Sequence, residues 1–112
     1  CLDTGHFSFG GGNPIDAIRQ YRERIWHVHF KDYSKKIKEF GATNNWDYFK
    51  FIENGIFCEL NKGNLNFKKI ANELIKINYQ GWIVVEQDII PGMGNPIKYA
   101  KKNRKFLYSI NL

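Results

Sequence analysis

Three short stretches hold the side chains able to do chemistry: "LDTGH" with Asp3 and His6, "HVHFKD" with His27, His29, Lys31 and Asp32, and "VVEQD" with Glu86 and Asp88. Carboxylates joined by one imidazole form a hard, oxygen-rich donor set, suited to Mn²⁺, Co²⁺ or Mg²⁺ more than to a structural zinc. Such a centre needs Asp3, His29 and Glu86 together. Singly, each has a plainer use. Asp3 can bond its own turn, a strand histidine is commonly a hydrogen-bonded core residue, and Glu86 can be a paired structural carboxylate, because burying it unpaired is costly. Their recurrence at successive strand ends is what points to a site.

The elements that must position these groups follow from the pattern. "CLDT" reads as a short strand leading to a glycine-rich loop at Gly10 to Gly12. Asn13 and Pro14 supply an N-cap and a first-turn proline for a helix striped by Ile15, Ile18, Tyr21 and Ile25. "RIWHVHFKD" is a second strand. A polar stretch from Tyr33 leads to a short helix over Trp46 to Asn54 that Gly55 stops, and residues 33–62 form an insertion above the strand end. Phe67, Ile70, Ala71, Leu74 and Ile77 mark an amphipathic helix. The continuous run in "WIVVEQD" predicts a fully buried strand, and a last helix starts near Pro96 with Lys98, Lys101, Lys102 and Lys105 on its wet face.

The order β-α-β-insert-α-β-α means parallel strands. It fits a doubly wound sheet or the last three β/α units of a (β/α)8 barrel. A whole barrel needs about 250 residues, so in the second case the 112 residues are the C-terminal portion of one domain that continues upstream. In either fold, functional groups gather at the carboxyl ends of strands. Alternation puts His27, His29 and Lys31 on one face and Val28, Phe30 and Asp32 on the other, with Trp82, Val84, Glu86 and Asp88 sharing a face on the last strand.

Composition narrows the class. No apolar run of about 18 residues predicts a membrane span. Cys1 and Cys58 lack the spacing of a disulfide framework or thiolate metal site, which makes a reducing, cytoplasmic setting the expectation. The net charge of +6 invites a nucleic-acid reading, yet basic residues on a helix's wet face account for it and no nucleic-acid partner is expected.

"LDTGH", "HVHFKD", "GNLNF" (Gly63 to Phe67) and "GWIVVEQD" (Gly81 to Asp88) together resemble the xylose isomerase-like TIM barrels, the sugar phosphate isomerase/epimerase family, over essentially the whole chain. Within it, "FGGGNP", "FIENGIFCEL" and the Asn95-Pro96 pair are most similar to the branch that dehydrates 2-keto-myo-inositol. The resemblance implies one divalent metal on Asp3, His29 and Glu86, with a further Glu from an upstream strand, and so predicts an inactive excerpt when these strands stand alone. It implies Glu86 and His6 as catalytic groups and His6, Lys31 and His27 as substrate-facing ones. His27 would orient a ligand, and Lys31 would steady a leaving oxygen or sit at the rim with its ammonium in water.

The substrate implied is a polyhydroxy ketone, dehydrated through an enediolate. Isomerisation or epimerisation of a ketose or sugar phosphate is the alternative through the same intermediate. A thiol cofactor such as glutathione and a homo-oligomeric full-length form are compatible with the resemblance. The apurinic endonucleases of this fold need an Asp-x-His pair where the chain has "CELNKGNL", with no histidine. Asn61 stands where many relatives carry the first glycine of a tight turn, which puts the geometry of that loop in question.

Overall fold

The structure is a computed structural model that describes residues 1–112. Strand β1 (Leu2–Asp3) runs directly into helix α1 (Thr4–Phe9), then α2 (Pro14–Tyr21) and a 3₁₀ turn at Arg22–Arg24 lead to β2 (Val28–Phe30). The insertion holds β3 (Asp32–Tyr33), α3 (Lys35–Thr43), α4 (Tyr48–Glu53) and β4 (Phe57–Cys58). Helix α5 (Phe67–Lys76), strand β5 (Ile83–Val85) and helix α6 (Pro96–Ser109) complete the chain.

Strands β1, β2 and β5 form one parallel sheet in that spatial order, with Asp3 opposite His29 and His29 opposite Val84. Leu2, Val28 and Phe30 point to one face, where they pack with Ala17 and Ile18 of α2, with Phe67, Ile70, Ala71 and Leu74 of α5, and with Leu107 of α6. The helices therefore cover a single face of the sheet. A doubly wound sheet carries helices on both faces, whereas a barrel keeps them outside and turns the other face inward. The arrangement is that of consecutive β/α units of a barrel.

The local signals act as expected at the helix starts. Asn13 and Asn95 each accept the N–H two residues on at 2.9 Å, and a proline follows each cap. Three elements differ from the expectation. The stretch after Asp3 is helix α1 rather than loop, the polar stretch after Tyr33 is largely helix α3, and β3 and β4 pair as an antiparallel hairpin. The hairpin closes a second small core of Tyr33, Phe51, Ile56 and Phe57 above the sheet. Strand β5 is not fully buried: Trp82 and Val84 are 80% and 41% exposed. It is an edge strand here, and its inner face has no strand across from it.

Candidate metal and substrate site

The inner face gathers its polar groups where the three strands end. Asp3 ends β1, and its Oδ1 accepts the His6 N–H at 2.7 Å, capping α1. The turn-bonding use of this aspartate is therefore real, but it occupies only one oxygen. Asp3 Oδ2 is buried and accepts no hydrogen bond, a costly state for a carboxylate oxygen unless a cation completes it. His29 Nδ1 lies 3.6 Å from that oxygen and 2.6 Å from Glu86 Oε2. One donor atom each from Asp3, His29 and Glu86 falls within 4.8 Å of the other two. Two carboxylates and an imidazole this close form a donor set a divalent cation fits.

Register explains the convergence. Asp3 and His29 are direct neighbours across β1 and β2. Glu86 lies two residues beyond Val84, the partner of His29, and its N–H bonds the Phe30 carbonyl at 3.0 Å, extending the ladder past β5. The alternation of a strand returns Glu86 to the inner face.

Lys31 is not a rim lysine in water. Its side chain is 1% exposed, with Nζ at 2.7 Å from Glu86 Oε1, 3.0 Å from Asp88 Oδ2 and 3.1 Å from His6 Nε2. It also lies 4.4 Å above the Phe57 ring. Burial pushes the ammonium's pKa down, but the hydrogen bonds and charges of Glu86 and Asp88 outweigh it and hold the group above its ordinary value. Conversely, the hydrogen bond from Lys31 leads the causes that hold Glu86 below the usual carboxylate range, against the opposing effect of burial.

Two small residues on α1 make room for this lysine. The Thr4 hydroxyl accepts the Lys31 N–H at 2.9 Å and lies 2.9 and 3.1 Å from the carbonyls of Lys31 and His29, serving β2 where β1 has turned into helix. Gly5 lies against the lysine stem, and a Cβ there would come 2.8 Å from Lys31 Cγ.

His6 Nε2 accepts from Lys31, which places the ring proton on Nδ1. The ring packs 4.6 Å from Phe57. His27 stands apart from the donor cluster: its ring meets His29 edge-on at 5.1 Å, with no hydrogen bond between the two. It steadies His29 by packing, not by the hydrogen bond expected of a ligand-orienting partner.

Asp88, Thr4 and Asp32 had no assigned role in the sequence. Asp32 is fully buried on the outward face. Its Oδ1 accepts from the N–H groups of Tyr33 and Leu65 at 2.9 and 3.0 Å, and its Oδ2 from Gly63 at 3.0 Å. Burial raises its pKa, opposed by these amides. A charged residue at an outward position that alternation assigns to the core was the available signal. The loop it pins contains Asn61 at φ +66°. Asparagine reaches the left-handed region more readily than other residues with a Cβ, so the turn forms without the glycine.

Comparison with known proteins was consistent with this geometry. The family described as "xylose isomerase-like TIM barrel" matches residues 1–110. Inosose dehydratase of Bacillus cereus (strain AH820) is 36% identical over 95% of the chain, and that of Clostridium tetani (strain Massachusetts / E88) is 36% identical over 94%. The chain spans only 36% and 35% of the length of these two relatives. Among solved structures, a sugar phosphate isomerase/epimerase from Parabacteroides distasonis ATCC 8503 superposes over 95% of the chain and 29% of its own, with TM-score 0.66 at 16% identity, a likeness of fold.

Proposed function

The chain belongs to the xylose isomerase-like TIM barrel family, and on that premise we propose that it forms the C-terminal part of a metal-dependent dehydratase acting on 2-keto-myo-inositol. The observation that carries the reading is the buried, unpartnered Asp3 Oδ2 beside His29 Nδ1 and Glu86 Oε2. Asp3, His29 and Glu86 would hold Mn²⁺, Co²⁺ or Mg²⁺. Such an ion supplies a Lewis acid for the ketone oxygen and its neighbouring hydroxyl.

The remaining chemistry falls to side chains of this chain. Glu86 takes the proton from the carbon beside the carbonyl, and Lys31 keeps it ionised for that step. His6 gives its Nδ1 proton to the departing hydroxyl, which leaves as water, while its Nε2 takes a proton from Lys31 Nζ at 3.1 Å, so the imidazole stays neutral. Lys31 holds His6, Glu86 and Asp88 in fixed relation, so donor and acceptor share one cation between them. Phe57 shields that cation from water on one side.

The test uses the full-length protein. Metal is stripped, Mn²⁺ or Co²⁺ is restored, and the dehydrated diketone formed from 2-keto-myo-inositol is followed by absorbance. Metal-dependent product growth supports the reading. Tight metal binding without product would move the assignment to an isomerase or epimerase of another polyhydroxy ketone.

A further inference from the structure

Helix α4 is anchored at one point and overhangs at another. Asp47 caps it by accepting the Lys50 N–H at 2.8 Å, and Phe51 is buried in the small core of the insertion. Residues three and four apart share a helix face, so Tyr48 lies on the Phe51 side, while Phe49 turns out to solvent at 75% exposed. Tyr48 is the first residue of the helix and is only half-buried, at 43% exposed. Its ring reaches beyond the core to the strand ends, 6.2 Å from the His6 ring and 6.4 Å from Phe9. Phe9 in turn meets Phe51 edge-on at 5.1 Å, which ties this overhang to the anchor.

The phenol lies within reach of the charges of Asp3, Lys31, Glu86 and Asp88. These four groups come from all three strand ends, so a phenol that senses each of them stands over the centre they share. Burial first, and then the charge of Asp88 with those of Glu86 and Asp3, hold its pKa above the ordinary value against the opposing effect of Lys31. The group is therefore a neutral donor. Packing does not use that donor. Tyr79 and Tyr99 spend their hydroxyls on the carbonyls of Trp82 and Met93, at 2.9 and 2.7 Å, whereas Tyr48 Oη has no hydrogen-bond partner in the chain. The strand ends offer mostly acceptors, and Tyr48 sets a donor and an apolar ring face above them.

We propose that Tyr48 is a substrate-binding residue of this site: its ring roofs the bound polyhydroxy ketone, and its hydroxyl donates a hydrogen bond to a ring hydroxyl that the metal does not hold. The inference rests on the polyhydroxy-ketone reading and brings the insertion, through α4, into the site.

The test uses the full-length protein loaded with Mn²⁺, and calorimetry with myo-inositol, a polyol that presents the ring hydroxyls without the reacting ketone. Tyr48→Phe removes only the hydroxyl and should weaken myo-inositol roughly three- to tenfold, the effect of one neutral hydrogen bond. Tyr48→Leu removes the ring face as well and should weaken it further. Phe49→Leu, next in the chain but turned to solvent, should bind as the parent does. Mn²⁺ affinity should be the same in all four proteins, which separates contact with the substrate from a disturbed fold or metal centre. Tyr48→Phe binding myo-inositol as the parent does, a parent that does not bind it, or a loss of Mn²⁺ affinity equal to the loss of myo-inositol affinity would overturn the assignment. If the expected losses are seen while 2-keto-myo-inositol is not dehydrated, Tyr48 keeps its role and the dehydratase reading falls. If dehydration proceeds and Tyr48→Phe matches the parent in binding, the dehydratase reading stands and the role of Tyr48 falls.

Discussion

Replacing Lys31 by methionine tests the central electrostatic argument. The side chain is buried and its Nζ faces Glu86 and Asp88 at 2.7 and 3.0 Å. Removing one partner of a buried pair costs about 3–5 kcal/mol. Glu86 and Asp88 keep roughly a third of their side chains in water, which screens the orphaned charges and lowers the expected loss to about 2 kcal/mol. In the metal-free protein this is a fall in Tm of about 4–8 °C, at about 2–4 °C per kcal/mol for a large domain.

A divalent cation at Asp3, His29 and Glu86 would compete with the ammonium for the same Glu86 charge. Two unit charges 4 Å apart interact by about 4 kcal/mol at an effective dielectric near 20. If a third of that survives solvent, Lys31→Met binds the cation about tenfold more tightly. At a metal concentration 100 times the parent's Kd, the parent gains about 2.7 kcal/mol and the variant about 4.1 kcal/mol. Thermal melts with and without Mn²⁺, alongside a metal titration, read both quantities. A metal-induced gain in the variant equal to or below the parent's would refute the competition.

Other perturbations probe separate parts of the structure. His29→Ala should abolish Mn²⁺ binding by calorimetry, whereas His27→Ala, which removes only a ring contact, should weaken it by less than about tenfold; an unchanged affinity in His29→Ala would sink the ligand assignment. Asp32→Ala strands the N–H groups of Tyr33, Gly63 and Leu65 and should lower stability by about 3 kcal/mol, seen as a lower denaturant midpoint. Glu73 is held at about 2 by hydrogen bonds from Arg19 first and Lys76 second. Because its folded pKa is depressed, its contribution is complete above about 4.5 and is lost as pH falls toward 2. NMR titration should find the carboxyl there and find it raised in Arg19→Met; a carboxyl titrating near 4 in both proteins would contradict the pairing.

The sequence disclosed the order of units and the row of polar groups on the inner face because both follow from periodicity. Period-2 alternation aligned His29 with Glu86 as inner-face groups, and the α5 stripe from Phe67 to Leu74 lies where its spacing put it. What stayed hidden depends on contacts distant in sequence. Helix α1 is six residues long and forms under an aspartate cap and the Thr4 bonds to β2, which no local pattern encodes. Helix α3 has only Gly41 buried and reads as a polar linker. The hairpin strands are two residues each, below any detectable alternation. Whether Lys31 would steady a leaving oxygen or sit at the rim stayed open in the sequence because its three partners come from positions 6, 86 and 88.

Gly5 faces more than the stem of Lys31, 26 residues away: a Cβ at position 5 would also come 2.9 Å from Lys31 Cβ and 2.9 Å from the Lys31 carbonyl oxygen. Shortening the lysine removes the Cγ contact and leaves these two. Drift at the two positions is therefore one-sided: a descendant chain can exchange the long side chain without freeing position 5, because the backbone at the end of the neighbouring strand holds the glycine in place.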